Sequence, residues 1–452
     1  MSTPVDSQPS HLQRALGRGD LVLLKVVAIV NINNVPPVAV YGWMSLVLWV
    51  VAFATFFVPE AVAVLALSRR YPGEGGIYLW TRQQFGGAHG FLSGWCYWTN
   101  NLFYIPVLLV YMAGIFAFAG GSRSADLVNQ RAFVAGVAFA WLALIAIANI
   151  RGLGTGKWIQ NAGGVSAGLG IGLVLAAAAV ARLRGVAEAP PAIAGGGWEM
   201  AASFAVMCNA FVGIELSSMM GDEIKNPARD LPFAICVAGA ISLASYVLVT
   251  AAVLTLVPLG QLGVIQGVMQ AVDAGARQAR VSWIVAPLAI VMALSIGGTA
   301  SAWFAGSSRV PFVAGLTSAL PRALGRVHPR WQSPHVALAT GAVLAAIFTS
   351  WSLLGSGVAD AYQVLLKSAV VIQLIPFTYL FLGLLKLDDV TPLMRGAGAL
   401  GLAATLVGIV AAFIPTSDVV KVATFELKMV LGVVAPTVVG WILFQRSQRH
   451  YH

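Results

Sequence analysis

Two polar interruptions in otherwise apolar stretches carry residue types that could bind a small solute. The first reads Asn-Ile-Asn-Asn-Val-Pro-Pro over residues 31–37, and the second reads Asn-Ala-Phe-Val-Gly-Ile-Glu over residues 209–215. Consecutive prolines remove two backbone N–H donors, and glycine adopts backbone angles that a continuous helix does not use. Both stretches are therefore predicted to be breaks in helices, with free backbone groups and polar side chains available to a ligand.

The elements around these breaks are predicted to be membrane-spanning helices. The chain has 452 residues, of which 58% are hydrophobic and 10% charged, and its mean hydropathy is +0.83. A soluble protein of this size carries more charge. Runs of roughly 17 to 25 apolar residues, long enough to cross a bilayer as helix, occur about twelve times. The sequence thus predicts an all-α integral membrane protein.

Irregular backbone survives in a bilayer only where protein covers it or where it lines a wet cavity. The two breaks fall in the first and sixth predicted spans, so each opens a set of five helices. An odd number of crossings per half reverses its orientation, which indicates a 5+5 inverted repeat with broken helices 1 and 6. The predicted organisation is a tail (1–20), a transport core of helices 1–10 (21–390), helices 11–12 (391–445) and a short tail (446–452).

The distribution of basic residues predicts the orientation. With the N-terminus inside, about 18 of the 27 Lys and Arg residues, Lys25 among them, fall on the inner side. Both tails are then cytoplasmic in the cell inner (plasma) membrane. The net charge of +10 is explained by anionic lipid headgroups, without a nucleic acid partner.

In the first break, Ile32, Asn33, Asn34 and Val35 are predicted to bind polar groups of a substrate through backbone atoms and side-chain amides. The two prolines would restart the helix, because proline is accepted in a first helical turn. The positive end of that half-helix would then face the cavity. The alternative is that the Asn-Pro cluster only kinks the helix and is satisfied by its neighbours.

In the second break, Ala210, Phe211, Val212 and Gly213 are predicted to contribute backbone groups to the same site. Glu215 is an ionisable residue inside an apolar run, which in a membrane indicates function. It could exchange a proton or neutralise a substrate ammonium, and it is the predicted coupling residue and charge switch. The alternative is a permanently protonated carboxyl that hydrogen-bonds between helices.

Other residues within apolar runs are candidates for lining or gating the cavity: Asn31, Asn100, Asn101, Asn209, Trp303 and Lys367. Hydrogen bonds between helices explain buried asparagines equally well. A tryptophan could form a gate or pack in the core, and a lysine could snorkel or pair with a carboxylate. Glu60, which follows Pro59, is assigned to helix packing rather than transport.

Enzyme functions find little support in the sequence. The six histidines do not stand at metal-ligand spacing with Cys, Asp or Glu, and a phosphate-binding Gly-Lys-Ser or Gly-Lys-Thr motif is missing. The three cysteines do not suggest a disulfide framework. We therefore expect neither a metal centre nor another cofactor, and no ATP-driven pump.

Charged loop motifs resemble those of a known family. The run Phe-Val-Gly-Ile-Glu (211–215), followed by Glu-Ile-Lys-Asn-Pro-Ala-Arg-Asp-Leu-Pro (223–232), resembles the sixth-helix signature of the amino acid-polyamine-organocation permease superfamily. Tyr-Pro-Gly-Glu-Gly-Gly-Ile-Tyr-Leu-Trp (71–80) is similar to its loop after helix 2, and the segment 308–334 to its loop after helix 8. The run 33–42 resembles the glutamate/GABA antiporter branch more than it resembles members with a Gly-rich break in helix 1.

This resemblance implies a leucine-transporter-like fold, with alternating access around a site formed by helices 1, 3, 6, 8 and 10. It implies a secondary active transporter of amino acids or related amines, working by proton-coupled symport or by exchange. Two departures stand out: Asn209 replaces an aromatic gate, and Ala167 replaces a lysine that some members use for coupling. The alternatives are a polyamine or organocation transporter, or a non-transporting amino acid sensor. The expected partners are the substrate, protons and the bilayer.

Overall fold

A computed structural model describes residues 12–185, 197–256, 267–317, 319–354, 358–413 and 422–449. This part of the chain is helical, apart from its connecting turns and one single-residue parallel bridge between Leu16 and Ile224. Ten of its helical stretches are long and apolar enough to cross a membrane. The two further spans predicted from the sequence are the interrupted ones, whose separate helical pieces are too short to meet that criterion.

The helices of the first half are α1 (Arg18–Ile29), α2 (Pro36–Ala39), α3 (Met44–Ala52), α4 (Val58–Arg70), α5 (Gly76–Phe85), α6 (Gly87–Ala117), α7 (Ser124–Asn129), α8 (Arg131–Ile150) and α9 (Leu153–Leu183). The remaining helices are α10 (Gly197–Ala210), α11 (Leu216–Met219), α12 (Pro227–Leu256), α13 (Gly267–Gln278), α14 (Val285–Ser307), α15 (Arg309–Leu316), α16 (His335–Leu354), α17 (Val358–Lys386), α18 (Pro392–Ala412) and α19 (Val422–Arg449).

The chain leaves the helical path at both predicted breaks. Between α1 and α2 it forms a short 3-10 turn, and α2 begins at Pro36, where the missing N–H donors cost nothing. Between α10 and α11 it turns through Gly213, whose φ is +138°. A Cβ atom at Gly213 would lie 3.1 Å from the side chain of Ile29, so the two breaks lie against each other.

Helices α1, α9 and α14 meet at a point of very close approach. A Cβ atom on Gly163 of α9 would lie 2.6 Å from Cα of Gly298 in α14, and a Cβ on Gly298 would be equally close to Gly163. The Val27 side chain of α1 lies about 3 Å from both of these positions. Only glycine allows two helix backbones to approach this closely, so these residues set the separation of α9 and α14.

Helices α3 and α4 are joined through one turn of π-helix at Phe53–Phe57. The extra residue in that turn changes which side chains of the following helix face the protein interior. Glu60, in the first turn of α4, is fully buried.

The three loop motifs noted in the sequence converge on one buried ion cluster. The Arg309 guanidinium donates to both carboxylate oxygens of Glu223 at 2.9 and 3.0 Å, and its Nε lies 3.6 Å from Glu74. Burial and the neighbouring Glu223 carboxylate raise the pKa of Glu74, which lies between α4 and α5, although Arg309 opposes that rise. The segment before α1 closes over this cluster, because the N–H groups of Ala15 and Leu16 donate to the Glu223 carbonyl.

Candidate functional site

A cavity lies where the two broken helices face α6, α14 and α17. It encloses about 440 Å³, including the part that opens to solvent. Its lining combines amide side chains with small apolar residues and two aromatic rings: Ala28, Ile29, Asn31, Asn34, Asn100, Tyr104, Asn209, Ala210, Val212, Trp303, Ala369, Val370 and Gln373. These residues belong to the first, third, sixth, eighth and tenth predicted spans. The lining contains no charged side chain among the residues that the structure describes.

One tyrosine on α12 joins the two breaks. The Tyr246 hydroxyl lies 2.6 Å from the Ile29 carbonyl and 3.0 Å from the Ala210 carbonyl, and it accepts from the Asn31 N–H at 3.2 Å. These carbonyls end α1 and α10, so they lack the helical partners that interior residues have. Tyr246 therefore satisfies backbone groups at both breaks, and its ring stacks on Trp49 at 4.3 Å.

Two walls of the cavity are held by hydrogen bonds between helices. Asn100 Nδ2 donates to Gln373 Oε1 at 2.6 Å, which joins α6 to α17. Gln373 Nε2 is buried and makes no hydrogen bond within the described part of the chain. Because a buried donor without a partner costs free energy, this amide is suited to bind an oxygen atom of a ligand.

Trp303 forms a second wall. Its Nε1 donates to the Ala28 carbonyl at 3.2 Å, and its ring packs on Tyr104 and Tyr97 at centroid distances of 5.9 and 6.2 Å. Trp303 is 3% exposed. It therefore separates the cavity from the buried residues around Tyr97.

Glu215 is fully buried and lies outside the cavity lining. Its Oε2 accepts from the Gly213 N–H at 2.8 Å, and its Oε1 accepts from the Tyr97 hydroxyl at 3.0 Å. Lys25 is nearby and fully buried, and its Nζ donates to the Ile214 carbonyl at 2.6 Å and to Ser217 Oγ at 2.7 Å. The ammonium of Lys25, which the sequence placed on the inner side of the membrane, is thus buried within the protein. Its ammonium lies in the interior because the broken helix offers it a free carbonyl.

A second cavity of about 330 Å³ lies between the first break, α9 and α14. Ala167, which replaces a lysine found in some members of the superfamily, lines this cavity together with Ile32 and Thr299. The Thr299 hydroxyl donates to the Val27 carbonyl at 2.7 Å. None of the described residues that line this second cavity carries an ammonium group.

The other residues predicted from the sequence are divided between cavity and core. Asn31, Asn34, Asn100, Asn209, Ala210, Val212 and Trp303 line the main cavity. The side chains of Val35 and Phe211 are buried in the hydrophobic core, and Asn101 is buried with Nδ2 bonded to the Tyr97 carbonyl. The side chains of Asn33 and Lys367 lie outside the described residues. Sequence reasoning missed Tyr104, Tyr246 and Gln373. Tyrosine is common in apolar runs, whereas Gln373 gave the same signal as Asn100, a polar amide inside such a run.

The fold and this cavity define a multi-pass membrane permease, and residues 23–435 match the amino acid permease family. The chain belongs to that family, which confirms the resemblance drawn from its loop motifs. Family membership makes an amino acid or related amine the class of substrate.

Similar proteins include transporters of several bacteria. An uncharacterized transporter of Legionella pneumophila is 24% identical over 97% of this chain and 98% of its own length. The branched-chain amino acid permease BcaP of Bacillus subtilis is 26% identical over 73% of each chain. A glutamate/gamma-aminobutyrate antiporter of Lactococcus lactis is 20% identical over 54% of this chain and 52% of its own.

Proposed function

We propose that this protein is a secondary active transporter of neutral, aliphatic amino acids in the cytoplasmic membrane. The observation that carries this proposal is the main cavity, in which amide groups and backbone ends of two broken helices surround a small apolar space. Amides can pair with both the carboxylate and the ammonium of a zwitterion. The apolar residues Val212, Ala369 and Val370 suit an aliphatic side chain.

A polyamine is a weaker candidate for the same cavity. A dication in a low-dielectric site needs carboxylates to offset its desolvation. The described lining of the cavity offers amide oxygens, carbonyls and aromatic faces, and Glu215 is not part of it. The branched-chain permease among the relatives also supports an amino acid substrate.

We infer alternating access in a 5+5 inverted repeat of twelve crossings, with residues 21–390 as the transport core and both tails in the cytoplasm. The backbone of Ile32–Val35 and Ala210–Gly213 would hold the polar groups of the substrate. Glu215 would act as the charge switch, reached through Tyr97 and Trp303. Transport is then coupled to protons, as symport or as exchange.

Uptake of radiolabelled L-leucine into proteoliposomes tests the substrate class, with unlabelled L-isoleucine, L-glutamate and putrescine as competitors. We expect L-isoleucine to compete and putrescine not to compete. Val370→Trp, which fills the cavity, should abolish uptake, whereas Val343→Trp on the exposed face of α16 should not. Competition by putrescine, or uptake that survives Val370→Trp, would contradict this assignment.

A second comparison separates exchange from symport and from a sensor. L-leucine uptake is measured into empty vesicles and into vesicles loaded with unlabelled L-leucine. Faster uptake into loaded vesicles supports exchange, and equal rates support symport. If L-leucine raises the thermal stability of the purified protein but enters neither kind of vesicle, the protein is a sensor.

A further inference from the structure

Three ionisable side chains meet in the protein interior at a place separate from the cavity. Lys25 comes from α1, Glu60 from α4 and Glu215 from the second break, and each of the three is fully buried. The Lys25 ammonium already has a backbone carbonyl and a hydroxyl as partners. Three charged groups from three distant segments are unusual in the interior of a membrane protein, where each is costly to bury.

Glu60 has an unusual environment within this cluster. Both of its oxygens are buried without a hydrogen bond of standard geometry from the described residues. The polar groups that act on it come from Glu215, whose carboxyl and backbone N–H both lie close to the Glu60 carboxyl. Two carboxyl groups in contact repel each other unless one proton lies between them.

A count of the charges in the cluster also indicates one proton shared by the two carboxyl groups. Lys25 contributes one positive charge, and two ionised carboxylates would leave one negative charge uncompensated. The other titratable group that faces the pair is Tyr97, whose hydroxyl donates to Glu215. A single proton shared by the two carboxyl groups makes the buried cluster neutral, which is the arrangement that a low-dielectric interior favours.

We propose that Glu60 and Glu215 hold one exchangeable proton between them, with the Lys25 ammonium as their counter-cation, and that transport moves this proton. The proposal rests on the transport function proposed above. It gives Glu60 a role as half of a proton-binding site rather than in packing alone. Contacts from Glu215 through Tyr97 and Trp303 to the Ala28 carbonyl connect this site to the cavity.

Infrared difference spectroscopy tests the shared proton without a substrate. The purified protein in lipid is titrated, and the stretch of a protonated, buried carboxyl group is followed. We expect this band in the wild type and its loss in both Glu60→Gln and Glu215→Gln, because the remaining carboxylate then pairs with Lys25. Asp273→Asn, a control in α13 distant from the cluster in sequence and partly exposed, should keep the band.

A band that survives in either single variant would show that the two carboxyl groups do not share a proton, and would overturn the proposal. In Lys25→Met, the band of the protonated carboxyl group should persist to higher pH, because the cation that favours the ionised carboxylate is removed. Since glutamine has nearly the same shape as glutamate, elution as a single species and an unchanged helix signal confirm that each variant is folded.

Transport of radiolabelled L-leucine then tests the movement of the proton. With an imposed pH gradient, the wild type should accumulate L-leucine, whereas Glu60→Gln should only equilibrate it. Accumulation by Glu60→Gln as high as in the wild type would refute the coupling role. If the wild type moves no amino acid at all, the proposed transport function fails, and the infrared result still decides whether the proton is shared.

Discussion

Replacement of Tyr246 by phenylalanine tests whether one hydroxyl group holds the two broken helices together. The change keeps the ring, whose stacking on Trp49 at 4.3 Å needs no hydroxyl. It removes the donor that lies 2.6 Å from the Ile29 carbonyl and 3.0 Å from the Ala210 carbonyl. The Ile29 carbonyl also accepts from the Asn31 N–H at 2.8 Å, so the buried acceptor that loses its described partner in the variant is the Ala210 carbonyl. We expect the free energy of unfolding to fall by about 1–3 kcal/mol.

The assay is equilibrium unfolding of the purified protein in mixed micelles of increasing SDS content. Tyr379→Phe is the matched control, because its hydroxyl meets His89 Nδ1 at 2.9 Å near the protein surface. Water replaces that partner, and the control should change the free energy by less than about 0.5 kcal/mol. If Tyr246→Phe changes stability as little as the control does, Tyr246 does not hold the two breaks together.

Three further changes test other parts of the structure. Gly213→Ala places a methyl group against the first break at a φ of +138° and should cost about 1–3 kcal/mol in the same titration, whereas Gly136→Ala, which has free space, should not destabilise. Glu74 has a raised pKa in the folded protein, so its protonated form favours folding. That contribution to stability is lost as the pH rises through the raised pKa. The melting temperature of Glu74→Gln should therefore fall less than that of the wild type between about pH 5 and pH 8, and an equal fall would contradict this. Arg309→Met leaves two buried carboxyl groups without their cation and should cost about 3–5 kcal/mol, seen as loss of folded protein on gel filtration; normal yield would argue against the cluster.

Both helix breaks could be predicted from the sequence because their causes are local. The two prolines after Val35 remove donors from the chain itself, and Gly213 supplies a backbone conformation that other residues avoid. The amides of the first break were also recognisable, since Asn31 and Asn34 stand in an otherwise apolar run and both line the cavity.

The partners of these breaks could not be predicted, because they lie far away along the chain. Lys25 is near the start of a predicted span, where a lysine normally reaches the membrane surface, and its carbonyl partner is 189 residues further on. Tyr246 lies in an apolar stretch without any local feature that marks it. Glu60 was assigned to packing because Glu215, the residue that acts on it, lies in a distant part of the sequence.

The contact between Gly163 and Gly298 also bears on how the protein can move. The backbones of α9 and α14 meet here without an intervening side chain, so neither helix can move closer to the other. They are suited to act as a single rigid body, and Val27 touches the same point from α1. A bulkier residue at either glycine would push α9 and α14 apart and would also displace α1 at Val27.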